Sequence, residues 1–401
     1  METELSTTQI ALLEAIKASL FGTEPNYPAD TDWAEIVKEA KAQTVLGIIS
    51  PVIPVKEVSV EMGKATYMRL MFEQDKLIKL LDSNDIPCVI LKGYAAAQYY
   101  PKPYLRAMGD VDFLVPHDKF EKAIALLENN GYSYHHGKNQ KDVCLSRDIC
   151  YKKNGIEFEL HHHFGSFGFD VDDILNQAII NREYREMDGY KIPMLSDFEN
   201  GLVLLGHMNH HLISHNLGLR QILDWEMFVH NALDDTMWNE QLLPLLNSIG
   251  LKKLSINITV MCMKYLGLNC SLDLDTDLDE GVPTLLLEMI FDNGNFGNKK
   301  KASLQNENDS LVSYGLYNIK RNGFFPYFQD IGLRKWQLCQ RYKSFRPFAW
   351  IYGMGSALIR GIPSMIKHGS VMKQIVASKE KYVLYEKLGI EANLKNKRLL
   401  A

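Results

Sequence analysis

The sequence predicts an α+β protein: a core with a mixed sheet over about 85–190, a helical N-terminal segment over 1–84, and a helical C-terminal domain over 191–401. Three observations predict it. Apolar residues recur at helical spacing over 5–21, 31–49 and Val60–Leu81. The texture then changes to a short apolar run, Pro87-Cys88-Val89-Ile90-Leu91, as expected of a buried strand. From about residue 196 the helical pattern returns.

The elements follow in order. Asp30-Thr31-Asp32 supplies capping oxygens for the second helix, and Ser83-Asn84-Asp85 ends the long third one. Gly93 closes the first strand, and Tyr94–Tyr100 makes one or two helical turns. The loop Pro101-Lys102-Pro103 leads to a second strand, Val111–Val115. Phe120, Ile124 and Leu127 share one face of a helix over 117–129, with Gly131 just past its end. Asn154-Gly155 separates two strand-like runs, 143–152 and 156–163, which is a strong hairpin signal. A polar loop is expected near 292–310.

Composition narrows the function classes. The 401 residues include 46% hydrophobic and 23% charged, an ordinary globular balance. A net charge of −5 gives no global drive toward nucleic acid, so no nucleic-acid partner is expected. The start, Met1-Glu2-Thr3-Glu4-Leu5, lacks the basic residues of a secretory signal. No apolar run reaches the roughly 18 residues of a membrane span; Met354–Ile366 is broken by Arg360 and Pro363. The six cysteines form no CxxC pair, which fits a reducing compartment, and a cytoplasmic location is expected.

The sharpest chemical feature is Gly109-Asp110-Val111-Asp112-Phe113-Leu114-Val115. Residues two apart on a strand share a face, so Asp110 and Asp112 lie side by side and repel unless a cation sits between them. Mg²⁺ (or Mn²⁺) suits that place, being hard and oxygen-loving; a solvated strand end is the plain alternative. In Ile156-Glu157-Phe158-Glu159-Leu160-His161 the acids and His161 lie opposite an apolar face, so a third carboxylate could join the pair. Leu91-Lys92-Gly93 ends the preceding strand; Gly93 would let a phosphate approach the backbone, and Lys92 and Arg106 would neutralise its charge.

Leu91-Lys92-Gly93, Arg106, Gly109 to Val115, Asn130-Gly131-Tyr132 and Glu157-Phe158-Glu159-Leu160-His161, in that order, resemble the uncharacterised nucleotidyltransferase family of the DNA polymerase β-like superfamily. The match covers roughly 85–165, with softer similarity at Leu219–Asp224 and Arg341–Trp350. The resemblance implies a nucleotidyltransferase-fold core and a metal site of Asp110, Asp112 and Glu159. It also implies two-metal transfer of a nucleoside monophosphate from an NTP to an unidentified hydroxyl acceptor. Lys92, Gly93, Arg106 and Gly109 would bind phosphate, and His161, Arg220 and Asp224 would border the cleft. Where the superfamily usually has Gly-Ser, this chain has Lys92-Gly93-Tyr94. That departure keeps a second expectation open, a non-catalytic nucleotide- or glycan-intermediate-binding protein.

Three other patterns could carry chemistry. His161-His162-His163 alternate across a strand, so at most two of them could converge on a metal. His207 and His211 share a helix face at i, i+4, but Met208 stands where a zinc-protease glutamate would be; packed or substrate-facing histidines are expected. Residues 319–368 interleave aromatics with cations, which fits a packed helical cap, a stacking surface for single-stranded nucleic acid, or peripheral contact with a membrane.

Overall fold

The computed structural model describes residues 5–55, 60–134, 148–162, 169–214, 216–274, 279–295, 299, 315, 317–320, 323–336, 338–339, 342–356 and 381–390. Cys144, His163, His215, the start of the 143–152 run and most of the 292–310 loop lie outside them.

Local chemistry explains where the first helices begin. Ser6 and Gln9 form a capping box on α1 (Thr7–Phe21), and the Asp32 carboxylate accepts from Ala34 N and Glu35 N at the start of α2 (Trp33–Ala42). The helical pattern over 31–49 is two helices, since Thr44 turns left-handed at φ 59° before α3 (Leu46–Ile49). The long helix α4 spans Val60–Asp82.

A five-stranded mixed sheet follows, in the order β1-β2-β5-β4-β3. Its strands are β1 (Val89–Ile90), β2 (Asp110–Leu114), β3 (Ser133–Tyr134), β4 (Asp148–Lys153) and β5 (Ile156–His161). β2 pairs antiparallel with β1 and parallel with β5, while β4 pairs antiparallel with β5 and β3. Asn154 and Gly155, at φ 53° and 76°, make the tight β4–β5 turn that the Asn-Gly pair predicts.

One face of the sheet is apolar. Val111, Phe113, Phe158 and Leu160 pack in one core with Leu70, Leu77 and Leu81 of α4 and with Ala123 and Leu127 of α6 (Phe120–Asn129). The opposite face carries Asp110, Asp112, Glu157, Glu159 and His161. A second core lies beyond it. There α1, α2 and α3 pack with α8 (Asp197–Ser214) and α9 (Leu219–Asn231), and Val89, Leu91 and Leu114 of the sheet join them. The five-residue helix α5 (Gly93–Ala97) and α7 (Phe169–Ile180) complete this region. A small hairpin, β6 (Glu183–Met187) and β7 (Tyr190–Met194), turns at Asp188-Gly189 with φ of 48° and 81°.

The two layers are tied by a buried ion pair. Arg106, in the loop before β2, donates from Nε and Nη2 to both carboxylate oxygens of Asp224 on α9, each at 2.6 Å. The Tyr100 hydroxyl donates to the same carboxylate at 2.9 Å. Removing one partner of such a pair strands a buried charge. Asp224→Ala should therefore cost about 3–5 kcal/mol in urea unfolding, whereas Arg106→Met combined with Asp224→Leu should recover a large part of that loss. Equal midpoints for Asp224→Ala and the parent would contradict the clamp.

Candidate active site

The site grows from strand register. Because β2 and β5 run parallel and in step, Asp110 lies beside Glu157, Asp112 beside Glu159, and Leu114 beside His161. Asp112, Glu159 and His161 each present a ligating atom, and these atoms all lie within 4.8 Å of one another. No other group of three or more metal-capable side chains of this kind occurs among the described residues. His161 Nε2 stands 2.8 Å from Asp112 Oδ1 and 3.5 Å from Glu159 Oε2. Between the two acids the register thus selects Glu159 for this group, while Glu157 stays level with Asp110.

Lys92 faces these acids. Its ammonium is 2.6 Å from Asp112 Oδ1 and 3.6 Å from Glu159 Oε2. The sequence suggested phosphate as its partner; here its charge is turned inward onto the carboxylates. The backbone is bent to do this: Lys92 has φ 45° and ψ −100°, a conformation that costs a residue with a side chain on the order of 1 kcal/mol or more. The bonds Leu91 N to Asp112 O and Ala96 N to Lys92 O hold the bend from both sides.

Electrostatics separate the two aspartates. Burial pushes the Asp112 carboxyl up, but the Lys92 ammonium and the hydrogen bond to His161 outweigh it and hold the group well below the ordinary range. Asp110 goes the other way. Burial and then the neighbouring Asp112 and Glu159 carboxylates push it up to about 6, against the pull of Lys92 and Arg220. Asp110 thus stands beside the cluster as its least comfortable charge.

The remaining expected residues take varied places. Arg106, expected on phosphate, is buried and committed to Asp224, because its guanidinium fork matches that carboxylate bidentately. Arg220, also expected at the cleft, donates from Nη1 to Ala107 O at 3.5 Å, and the Asp224 and Asp110 carboxylates both act on its charge. Gly93 opens α5, where an added Cβ would meet Asp110 O at 3.9 Å, an ordinary contact, and the space beside Gly109 is open. Neither glycine is required by packing. His162 turns away from His161 and stacks on Phe120 at 3.7 Å, as strand alternation predicts.

His207 and His211 meet Nε2 to Nε2 at 2.7 Å, so one nitrogen holds the shared proton. Burial, then the neighbouring His211, Lys92 and Arg220, hold His207 well below the ordinary histidine range, so it is neutral at pH 7. Its place near Lys92 was not legible from α8 alone, since it depends on how that helix crosses the sheet.

A sequence profile described as "Uncharacterised nucleotidyltransferase" matches residues 29–267, more than half of the chain. No protein with a curated description matches. Among solved structures, the chain is similar to an antigenic nucleotidyltransferase-like protein from Paracoccidioides brasiliensis. The two share 17% identity, with 50% of this chain and 93% of that chain covered and a TM-score of 0.32.

The raised Asp110 carboxyl carries a stability consequence. Its folded value lies above its unfolded one, so the parent loses stability as pH rises from about 4 to about 6. Asp110→Asn should raise the stability of the metal-free protein at pH 7.5 by on the order of 1 kcal/mol. The gain should vanish toward pH 4, where the carboxyl is protonated in both states. Thermal melts of parent and variant across that range check this, and a destabilised variant at pH 7.5 would contradict it.

Proposed function

Because the chain belongs to the uncharacterised nucleotidyltransferase family, we propose that it transfers a nucleoside monophosphate from an NTP to a hydroxyl acceptor. The observation that carries this reading is the cluster on the polar face of the sheet: Asp112, Glu159 and His161 converge, with Asp110 beside them. The donor set fits a divalent cation. Carboxylate oxygens suit Mg²⁺, and the imidazole adds affinity for Mn²⁺. Asp110, Asp112 and Glu159 would hold the metal, in the two-metal form of the chemistry or with Lys92 standing in for one charge. Bound metal would neutralise phosphate charge and favour loss of pyrophosphate.

The chain's own residues supply the rest. The acceptor oxygen attacks the α-phosphorus, the bond to the β-phosphate breaks, and pyrophosphate leaves with the electron pair. Glu159 receives the acceptor's proton, since it is the more open of the two clustered acids, at 26% against 4% exposure. Lys92 balances the negative charge on Asp112, and Arg220, whose charge acts on the Asp110 carboxyl, would meet phosphate oxygens. His161 fixes the Asp112 carboxylate through its 2.8 Å contact.

One observation favours a second reading. Lys92 already neutralises Asp112 at 2.6 Å, as a cation-filled but non-catalytic site would. On that reading the protein binds nucleotide or a related glycan intermediate without transferring anything.

Calorimetry with Mg²⁺-NTP should register binding to the parent, and Asp110→Asn combined with Asp112→Asn should abolish it while leaving the fold intact. Unchanged affinity in the double variant would remove the metal-site assignment. Glu159→Gln should keep NTP binding yet cut transfer of α-labelled nucleotide by about 100- to 10,000-fold, whereas Glu157→Gln should change it little. Parental transfer rates in both glutamate variants would refute the proton-acceptor role. Mg²⁺-NTP binding with no transfer by the parent to any hydroxyl acceptor would favour the second reading.

A further inference from the structure

Residues 319–368 carry nine lysines and arginines against a single acid, Asp330, in a chain whose net charge is −5. Asp330 is buried and Lys320 pairs with Glu386 at 2.8 Å, while the Lys343 side chain is exposed. Within this stretch α10 (Phe324–Lys335) runs against residues 349–356, which are also helical.

The two helices meet through their backbones. A Cβ on Gly332 would overlap the Ala349 carbonyl, and one on Gly353 would overlap the Phe328 carbonyl. Large side chains are left outside instead: Phe325 is 61% exposed, Phe348 55% and Ile351 49%, with Phe324, Leu338 and Tyr342 exposed as well. Among the described residues the hairpin's own core is Leu333, Cys339 and Ala349, with Trp336 packed on it, separate from the two main cores.

Phe328 and Leu333 are buried, yet more large apolar side chains stay outside than water usually leaves there. Small residues between helices and large ones outside is the arrangement that a lipid environment favours. Contiguous exposed apolar surface marks an interaction site, and aromatic rings mixed with cations suit the headgroup region of an anionic bilayer. Aliphatic side chains such as Ile351 and Leu338 have no stacking face for a base, which weighs against nucleic acid. No helix among the described residues is long and apolar enough to cross a membrane, so the hairpin would lie at the interface.

We infer that the hairpin formed by 324–336 and 342–356 docks on an anionic lipid surface, its exposed aromatic and aliphatic side chains entering the headgroup boundary and Lys343 meeting lipid phosphates. This does not depend on the chemistry proposed above.

The full chain should co-sediment with vesicles of phosphatidylcholine mixed with phosphatidylglycerol, weakly with phosphatidylcholine alone, and progressively less as salt rises. Phe325→Ser combined with Phe348→Ser should lower the partition coefficient by about tenfold or more, and Lys343→Glu by several-fold. Circular dichroism should show the fold unchanged, because all three side chains are exposed. Four results would overturn the proposal: no sedimentation at low salt, sedimentation indifferent to the phenylalanine pair, binding to a single-stranded oligonucleotide in place of vesicles, or a dimer held by this face with no lipid binding.

Discussion

Two carboxylates placed level on neighbouring strands repel, and a one-residue slip to separate them would turn every side chain of the strand to the opposite face. Asp112 and Glu159 are held level in that way. Their tolerance depends on the Lys92 ammonium and the His161 imidazole, which meet the same carboxylate oxygen at 2.6 and 2.8 Å. The bent backbone at Lys92, the parallel pairing of β2 with β5, and the helical layer over the polar face all serve this concentration of charge. The apolar face of the same strands anchors them in the core against α4 and α6.

The cluster is buried but not closed. Asp112 and His161 are almost wholly covered, whereas Glu159 keeps an open side. The Arg106–Asp224 pair ties α9 to the loop that leads into β2, and so joins the helical layer to the acidic strand. A reaction that needs a metal, a triphosphate and an acceptor in fixed relation gains from such a tie.

Much of this was legible in the sequence, and the limits have physical causes. The Asp-x-Asp spacing, the Asn154-Gly155 turn and the alternation of Glu157, Glu159 and His161 are local patterns, and the strands have that form. The choice of Glu159 over Glu157 was not available from the residues themselves, because it depends on the register of β2 against β5, a long-range pairing. The charge of Lys92, its place at the strand end beside Gly93 and the family resemblance point it to phosphate; its direction depends on a left-handed backbone that no local signal announces. Charge and the resemblance point Arg106 to phosphate as well, while its partner, Asp224, lies 118 residues away. The β6–β7 hairpin did carry a signal, Asp188-Gly189, and its two short strands could have been read from it.

The proposed chemistry requires a divalent cation seated among Asp110, Asp112 and Glu159. Anomalous diffraction from crystals soaked in Mn²⁺ tests this most directly. The account predicts one strong peak or a close pair of peaks at these carboxylates, with metal–oxygen distances of roughly 2.0–2.3 Å and the Lys92 ammonium displaced from its position against Asp112. A Mn²⁺-saturated crystal with no peak there and Lys92 still in contact with Asp112 would contradict it.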